Sequence, residues 1–402
     1  MHQFPDTRFL VTLATISLIN PLSVHIFLPA MPVVKSAFGI SDALVGLTFS
    51  ITLFVMAFAT LVYGSLSDRL GRRPVLLTGL LLFTVGSGIS AVAQSVSGLI
   101  FGRMVQALGA GCGVTLARAI ARDAYGTEHL VKVIAYLTMA YTLGPMISPL
   151  VGGLLLDVSG WRAVFWFATL SGALIAVAAW RVLYETHAKE HGGEKPSGFL
   201  RNYAALFSHA RFTAFVLQSG LSTGTFLSLA AASSFLMKDY LGRSGTEFGM
   251  YFLLFPIGFL LGNWVSSRLS HRFSIENMVL AGSIINLFAA AFQSGAILAG
   301  YLTPLVLFIP GCVLSFGQGI ALANAQVGAI RVIPGLSGTA AGVGVFFQMF
   351  LGAVFTQIYS LLADGTPMPM VIIVSTGSVL VLITGAIPFA LKRGRHPAPA
   401  DR

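Results

Sequence analysis

Gly64-Ser-Leu-Ser-Asp68-Arg69-Leu-Gly71-Arg72-Arg73-Pro74 is the stretch on which the reading of this chain turns. It gathers one acid and three arginines between two apolar segments, each long enough to cross a bilayer, and it is too short to fold by itself. A spanning helix needs roughly 20 apolar residues, so the arrangement is a membrane hairpin with its charges at one bilayer surface. Gly64 and Gly71 are expected to allow close helix approach and a tight turn. Asp68 is placed to accept from nearby donors, and Arg69, Arg72 and Arg73 to anchor the boundary.

Working outward, the rest of the sequence has the bilayer as its solvent. The 402 residues are 55% hydrophobic and 9% charged, where a soluble domain carries about 25% charged residues. Twelve candidate spans lie near residues 8–29, 43–66, 74–95, 98–121, 130–155, 162–184, 210–235, 245–269, 275–298, 301–322, 335–361 and 369–391. The first apolar run lacks a basic flank followed by a small-residue cleavage site and leads straight into the second span. It is expected to serve as its own insertion signal.

The net charge of +10 follows from topology. With the N-terminus inside, nineteen of the 24 lysines and arginines fall on cytoplasmic segments and helix ends, four (Lys35, Arg162, Lys238, Arg243) on the other side, and Arg103 within a helix. Such asymmetry places both termini in the cytoplasm by the positive-inside rule. The positive residues are spread over short loops rather than gathered in one basic face, so no nucleic-acid partner is implied.

A polar stretch from Glu185 to Arg201 separates six spans from six. The expected organisation is therefore an N-terminal bundle over 1–184, a cytoplasmic linker over 185–208 and a C-terminal bundle over 209–402. Two halves of similar size suggest an internal repeat with a site between them. The loop Arg268-Leu-Ser-His271-Arg272 reads as a worn copy of the charged first-half loop. His187 and His191 in the linker have no nearby cysteines and sit among solvated charges, which points to a connector rather than a metal site. Cys112 and Cys312 lie in glycine-rich apolar helices and are read as small packing residues.

Two further motifs carry mechanism. The fourth span holds Arg103-Met-Val-Gln106-Ala-Leu-Gly109-Ala-Gly111. An arginine at such depth is costly unless it pairs or faces water, so it is read as functional. Arg118 and Arg122, one turn apart near the cytoplasmic end, share a face and are expected to anchor that end and to partner Asp123 or Asp68. The fifth span contains Leu143-Gly144-Pro145-Met-Ile-Ser-Pro149-Leu-Val-Gly152-Gly153, a composition that bends a helix and lets it pack closely on a neighbour.

These motifs resemble those of the major facilitator superfamily. G-x-x-S-D-R-x-G-R-R-P is similar to its signature loop, and Arg103 to Gly109 resembles the helix-four motif R-x-x-Q-G-x-G of proton antiporters, with Ala107 where glycine is usual. Gly144-Pro145 resembles the helix-five motif of drug antiporters. Leu28-Pro29-Ala30-Met31-Pro32, Leu116 to Asp123, Gly160-Trp161-Arg162 and Ser337 to Ala341 resemble the bicyclomycin-resistance (Bcr/CflA) branch. The resemblance implies an all-α fold of twelve membrane helices in two pseudo-symmetric six-helix bundles that rock about a central cavity. It implies export of a hydrophobic drug or metabolite in exchange for protons across a bacterial inner membrane, by a monomer that needs no cofactor and no metal. It also implies that Asp68 meets the N-terminus of helix eleven near Pro334-Gly335, a contact worth about 0.3 to 1 kcal/mol.

The departure from that branch is at position 25, where an aspartate is usual and this chain has a histidine. No carboxylate falls in the middle of any candidate span. Two roles fit His25. It carries the coupling proton, because imidazole titrates in the working range, or it stays neutral and recognises substrate. A cavity without a carboxylate suits a neutral or anionic compound better than a cationic drug. Asn20, Gln218, Asn324 and Gln348 are candidate cavity residues, each of which could equally hydrogen-bond a neighbouring helix. A dedicated exporter of an amino acid, peptide or siderophore, or an uncoupled facilitator, remains open. An enzyme would need a convergent set of acids, histidines or metal ligands within the spans, and no P-loop for direct ATP use is present.

Overall fold

The computed structural model describes residues 6–186 and 199–393. Among these there is no strand, and twelve helices are long and apolar enough to cross a membrane. They are α1 Thr7–Phe38, α2 Asp42–Leu70, α3 Arg72–Val92, α4 Val96–Gly126, α5 Lys132–Ser159, α6 Trp161–Val182, α7 Ala210–Tyr240, α8 Gly245–Leu269, α9 Ile275–Leu298, α10 Pro304–Ile330, α11 Ser337–Leu362 and α12 Met368–Lys392. The linker histidines His187 and His191 lie outside the described residues.

Helix starts follow the local chemistry. The hydroxyls of Ser41, Ser95, Ser244, Ser274 and Thr303 each accept a backbone N–H in the first turn of the helix that follows, which satisfies a donor with no intrahelical partner. Helix α1 instead interrupts itself. Pro21, Pro29 and Pro32 bring no N–H to the carbonyls four residues earlier, those of Ser17, His25 and Leu28. The span accordingly breaks into Thr7–Ser17, Ile19–His25, a single 3-10 turn at Leu28–Ala30, and Met31–Phe38. These breaks explain why α1 extends beyond the expected end near residue 29.

The helices sort into two compact units. The first comprises residues 1–193 together with Ser234–Leu253 and Ser360–Leu362. Its interior is built on α3 against α4, where a Cβ at Gly109 would collide with the backbone of Phe83. Fully buried Phe27, Phe49, Phe83 and Phe165 fill the surrounding space.

The second unit holds the linker helix Phe199–Phe207, most of α7, α8 from Leu254 onward, α9, α10, most of α11, and α12. At one end Leu206 of the linker helix packs with Phe212, Phe215, Val216, Val279, Ala325, Ala329, Ala340 and Val343. Phe207 stacks obliquely on Phe347, 5.8 Å between ring centres. Burying those side chains fixes the linker helix to the bundle, each fully buried large apolar side chain contributing roughly 1.5–3 kcal/mol. Beside this cluster Glu276, buried at the start of α9, pairs with both Arg211 of α7 and Lys392 of α12. The Arg268–Arg272 loop does not reproduce the first-half network. Its Arg268 lies over the Trp264 ring at 5.4 Å, and the charge cluster of this unit forms at Glu276 instead.

Candidate functional site

The charged loop owes its shape to Gly71. With φ 98° and ψ 151° this residue ends α2 and starts α3, a conformation that an L side chain would strain. Arg72 then turns inward and becomes a hub, its side chain 4% exposed. Its Nη1 pairs with Asp68 at 2.5 Å and donates to Ser67 Oγ at 2.6 Å, and its Nε pairs with Asp123 of α4 at 2.9 Å. Arg122 Nε meets the other Asp123 oxygen at 3.4 Å. Arg73 Nη2 donates to the Trp180 carbonyl of α6 at 2.7 Å. One carboxylate of this network was not anticipated: Glu185 accepts from the backbone N–H groups of Arg72 at 2.9 Å and Arg73 at 3.1 Å.

Two expectations for this region need correction. Gly64 makes no close helix approach, since a Cβ there would meet nothing within 4 Å. Arg118 stands apart from the network on an exposed face of α4, and the pairing with Asp123 is made by Arg122. Arg69 is likewise exposed.

Arg103 is fully buried. Its Nε donates to the Thr48 carbonyl at 3.3 Å, and its Nη1 to the Ser23 carbonyl at 3.0 Å and to Gln106 Oε1 at 2.5 Å. Gln106 in turn donates to Ser87 Oγ at 2.8 Å. The guanidinium lies over the rings of Phe27 at 4.8 Å and Phe165 at 5.7 Å. Every acceptor is neutral, and among the described residues no carboxylate pairs with it. Carbonyl dipoles and aromatic faces carry the positive charge, while Nη2 has no partner among the described residues. Arg103 therefore ties α4 to the backbones of α1 and α2.

His25 closes the short helical piece Ile19–His25 and is buried. Its Nδ1 lies 3.1 Å from the Pro21 carbonyl. A carbonyl can only accept, so Nδ1 carries the proton and Nε2 is the nitrogen left to titrate or to bind. The imidazole meets the edge of Phe252 with ring centres 6.3 Å apart. Helix α5 supports this joint through its glycines. A Cβ at Gly144 would collide with the Pro21 ring, and one at Gly152 with the Ile26 carbonyl. The residues on either side of His25 thus rest on α5. Pro149 and Gly153 face the start of α8: the Pro149 carbonyl lies against Gly249, and a Cβ at Gly153 would collide with the backbone of Gly245. Pro145 lies inside the same helix.

The remaining polar candidates divide. Asn20 is buried in α1. Gln218 donates to Ser283 of α9 at 3.3 Å. Asn324 donates to Ser266 Oγ of α8 at 2.7 Å and to the Ile320 carbonyl at 2.8 Å. Both of these serve helix packing in the second unit. Gln348 is buried in α11, and its Nε2 has no partner among the described residues. No cluster of His, Cys, Asp or Glu able to hold a metal ion occurs among the described residues.

Comparison with known proteins fits this arrangement. The chain is 24% identical over 390 residues to the bicyclomycin resistance protein homolog of Haemophilus influenzae, covering 96% of each chain. It is 25% identical to multidrug resistance protein D of Escherichia coli, over 99% of this chain and 100% of the relative. To the chloramphenicol resistance protein of Pseudomonas aeruginosa it is 28% identical, over 92% of this chain and 89% of that one. Among solved structures the D-xylose-proton symporter superposes with a TM-score of 0.77 at 12% identity, covering 95% of this chain and 97% of that one. A bacterial homolog of the human lysosomal transporter Spinster, in an inward-facing conformation, gives 0.76 at 18% identity over 98% of each chain. These structures establish the shared fold. Residues 13–356 match the family model of the Major Facilitator Superfamily, and the chain belongs to that family of membrane transporters, which are not enzymes.

Proposed function

We propose that this protein exports a hydrophobic, neutral or anionic small molecule, a drug or a metabolite, from a bacterial cytoplasm in exchange for protons. It would act in the inner membrane as a monomer with both termini cytoplasmic. The observation that carries the coupling assignment is the His25 joint, a buried imidazole with one nitrogen committed to Pro21 and the other without a hydrogen-bond partner among the described residues. His25 would hold the coupling proton on Nε2 and lose it when substrate binds. Asp68, paired with Arg72 in this structure, would exchange that partner for the first turn of α11, which has no side-chain cap of its own, and so stabilise the alternate state.

A second reading is favoured by the neutral surroundings of Arg103. No carboxylate pairs with it among the described residues, and position 25 is a histidine where an aspartate is usual in the branch the chain resembles; a facilitator without proton coupling would need neither. Proton movement separates the two. In everted vesicles, addition of substrates from a panel of drugs and metabolites should release protons from the native protein. His25→Ala should abolish that signal and His25→Asp restore it. Substrate movement down its own gradient with no proton signal, altered only in affinity by His25→Ala, would replace the antiporter reading with the facilitator.

A further inference from the structure

The first unit includes Ser234–Leu253, the end of α7 and the beginning of α8, while both helices continue into the second unit. The Leu28 carbonyl, whose helical partner position is Pro32, accepts the hydroxyl of Ser234 at 2.6 Å. Lys35 Nζ pairs with Asp42 at 2.8 Å and lies 3.8 Å from Asp239. Gly153 and Gly245 touch backbone to backbone. On this foundation Asp157, at the end of α5, directs both carboxylate oxygens at α8. Oδ1 accepts the Gly245 N–H at 3.1 Å and Oδ2 the Thr246 N–H at 2.8 Å.

The first N–H groups of a helix have no intrahelical acceptor. Ser244 supplies one from the helix's own sequence, to Glu247, and α5 supplies the acceptor for the two before it. A charged acceptor at this end is further favoured by the helix dipole. The two bonds exist only while the start of α8 lies against α5.

We infer that Asp157 is a gate residue, the clamp that holds the start of α8 on α5 and must let go once in each transport cycle. Resting on the topology proposed above, the clamp lies on the outer side of the membrane, opposite the charged loop. Carboxylate capping supplies the grip and the glycine pair the proximity. Neighbouring charges are already committed: Glu247 to Arg243 at 3.2 Å, and Lys35 to Asp42 and Asp239.

The test places a reporter cysteine at Thr246→Cys in a background with Cys112→Ala and Cys312→Ala. Its rate of modification by a membrane-impermeant maleimide is measured in intact cells and in everted vesicles. Asp157→Asn should raise the rate in intact cells by about fivefold or more, in the range of ordinary coupling between two conformational states, and Asp157→Glu should keep it near the native rate. Equal rates for the native side chain and Asp157→Asn would overturn the clamp. Acceleration confined to everted vesicles would overturn its outer placement. The measurement needs neither substrate nor a proton gradient, so it stands or falls separately from the antiport reading.

Discussion

Glu185 and Arg72, 113 positions apart in the chain, meet where the end of α6 returns to the charged loop: the Glu185 carboxylate accepts the Arg72 backbone N–H at 2.9 Å. The same carboxylate takes the N–H of Arg73 at 3.1 Å, so the start of α3 is capped by a residue from across the bundle. The cap also stands against Gly71, where an added Cβ would approach Glu185 Oε2 to 2.6 Å.

Removing that cap should weaken the charged-loop end of the first unit. Glu185→Ala is expected to cost about 0.5–2 kcal/mol, the usual range for a lost helix cap, and Glu185→Gln less, because the amide oxygen still accepts. Gly71→Ala should cost about 1–3 kcal/mol through backbone strain, with the side-chain collision added. Thermal unfolding in detergent measures the order expected: native highest, then Glu185→Gln, then the two alanine variants.

Within the network the two aspartates should separate by assay. Asp123 is largely buried and bonded to the Arg72 Nε, so Asp123→Asn should lower thermal stability more than Asp68→Asn. Asp68 is more than half exposed and is assigned the conformational role, so Asp68→Asn should reduce transport by about tenfold or more with little loss of stability. A double-mutant cycle between Arg72 and Asp123 should give a coupling of about 0.5–3 kcal/mol.

Arg103 offers a sharper separation of stability from function. Arg103→Met removes a desolvated charge but leaves the buried Gln106 Oε1 without its donor, two effects of opposite sign. Arg103→Met should therefore shift the melting temperature little while transport falls by about tenfold or more. Arg103→Lys, a strongly hydrated point charge without the planar fork, should lose both. Melting curves and efflux measured on the same preparations decide the matter.

What the sequence could disclose was set by how local the cause is. Hydropathy runs are local, and most of the twelve spans emerge from them to within a few residues; the exceptions are α1, which passes through its prolines to Phe38, and α10, which runs on to Ile330 rather than ending near residue 322. Gly71 was legible because a tight turn beside charge leaves few alternatives. Glu185 was not: it belongs to a stretch that reads as a solvated connector, and its partners are backbone groups, which have no side-chain signature. Asp157 is hidden for the same reason, since it stands at a helix end and its partners are backbone N–H groups. The second-half loop misled in the opposite sense. Its arginines imitate Arg69–Arg73 in composition, yet in that unit the helix start carries an acid, Glu276, and the bases come from α7 and α12. Sign was exchanged between halves while position was kept, and similarity of residue type is blind to that exchange.

The long sequence distance between Arg72 and Glu185 has a temporal meaning. A ribosome adding about 5–20 residues per second needs roughly 6–23 s to pass from one to the other. During that interval the start of α3 has entered the membrane without its cap, and water or lipid headgroups must satisfy the N–H groups of Arg72 and Arg73. Capping of α3 during biogenesis is thereby tied to the emergence of the residues that follow α6.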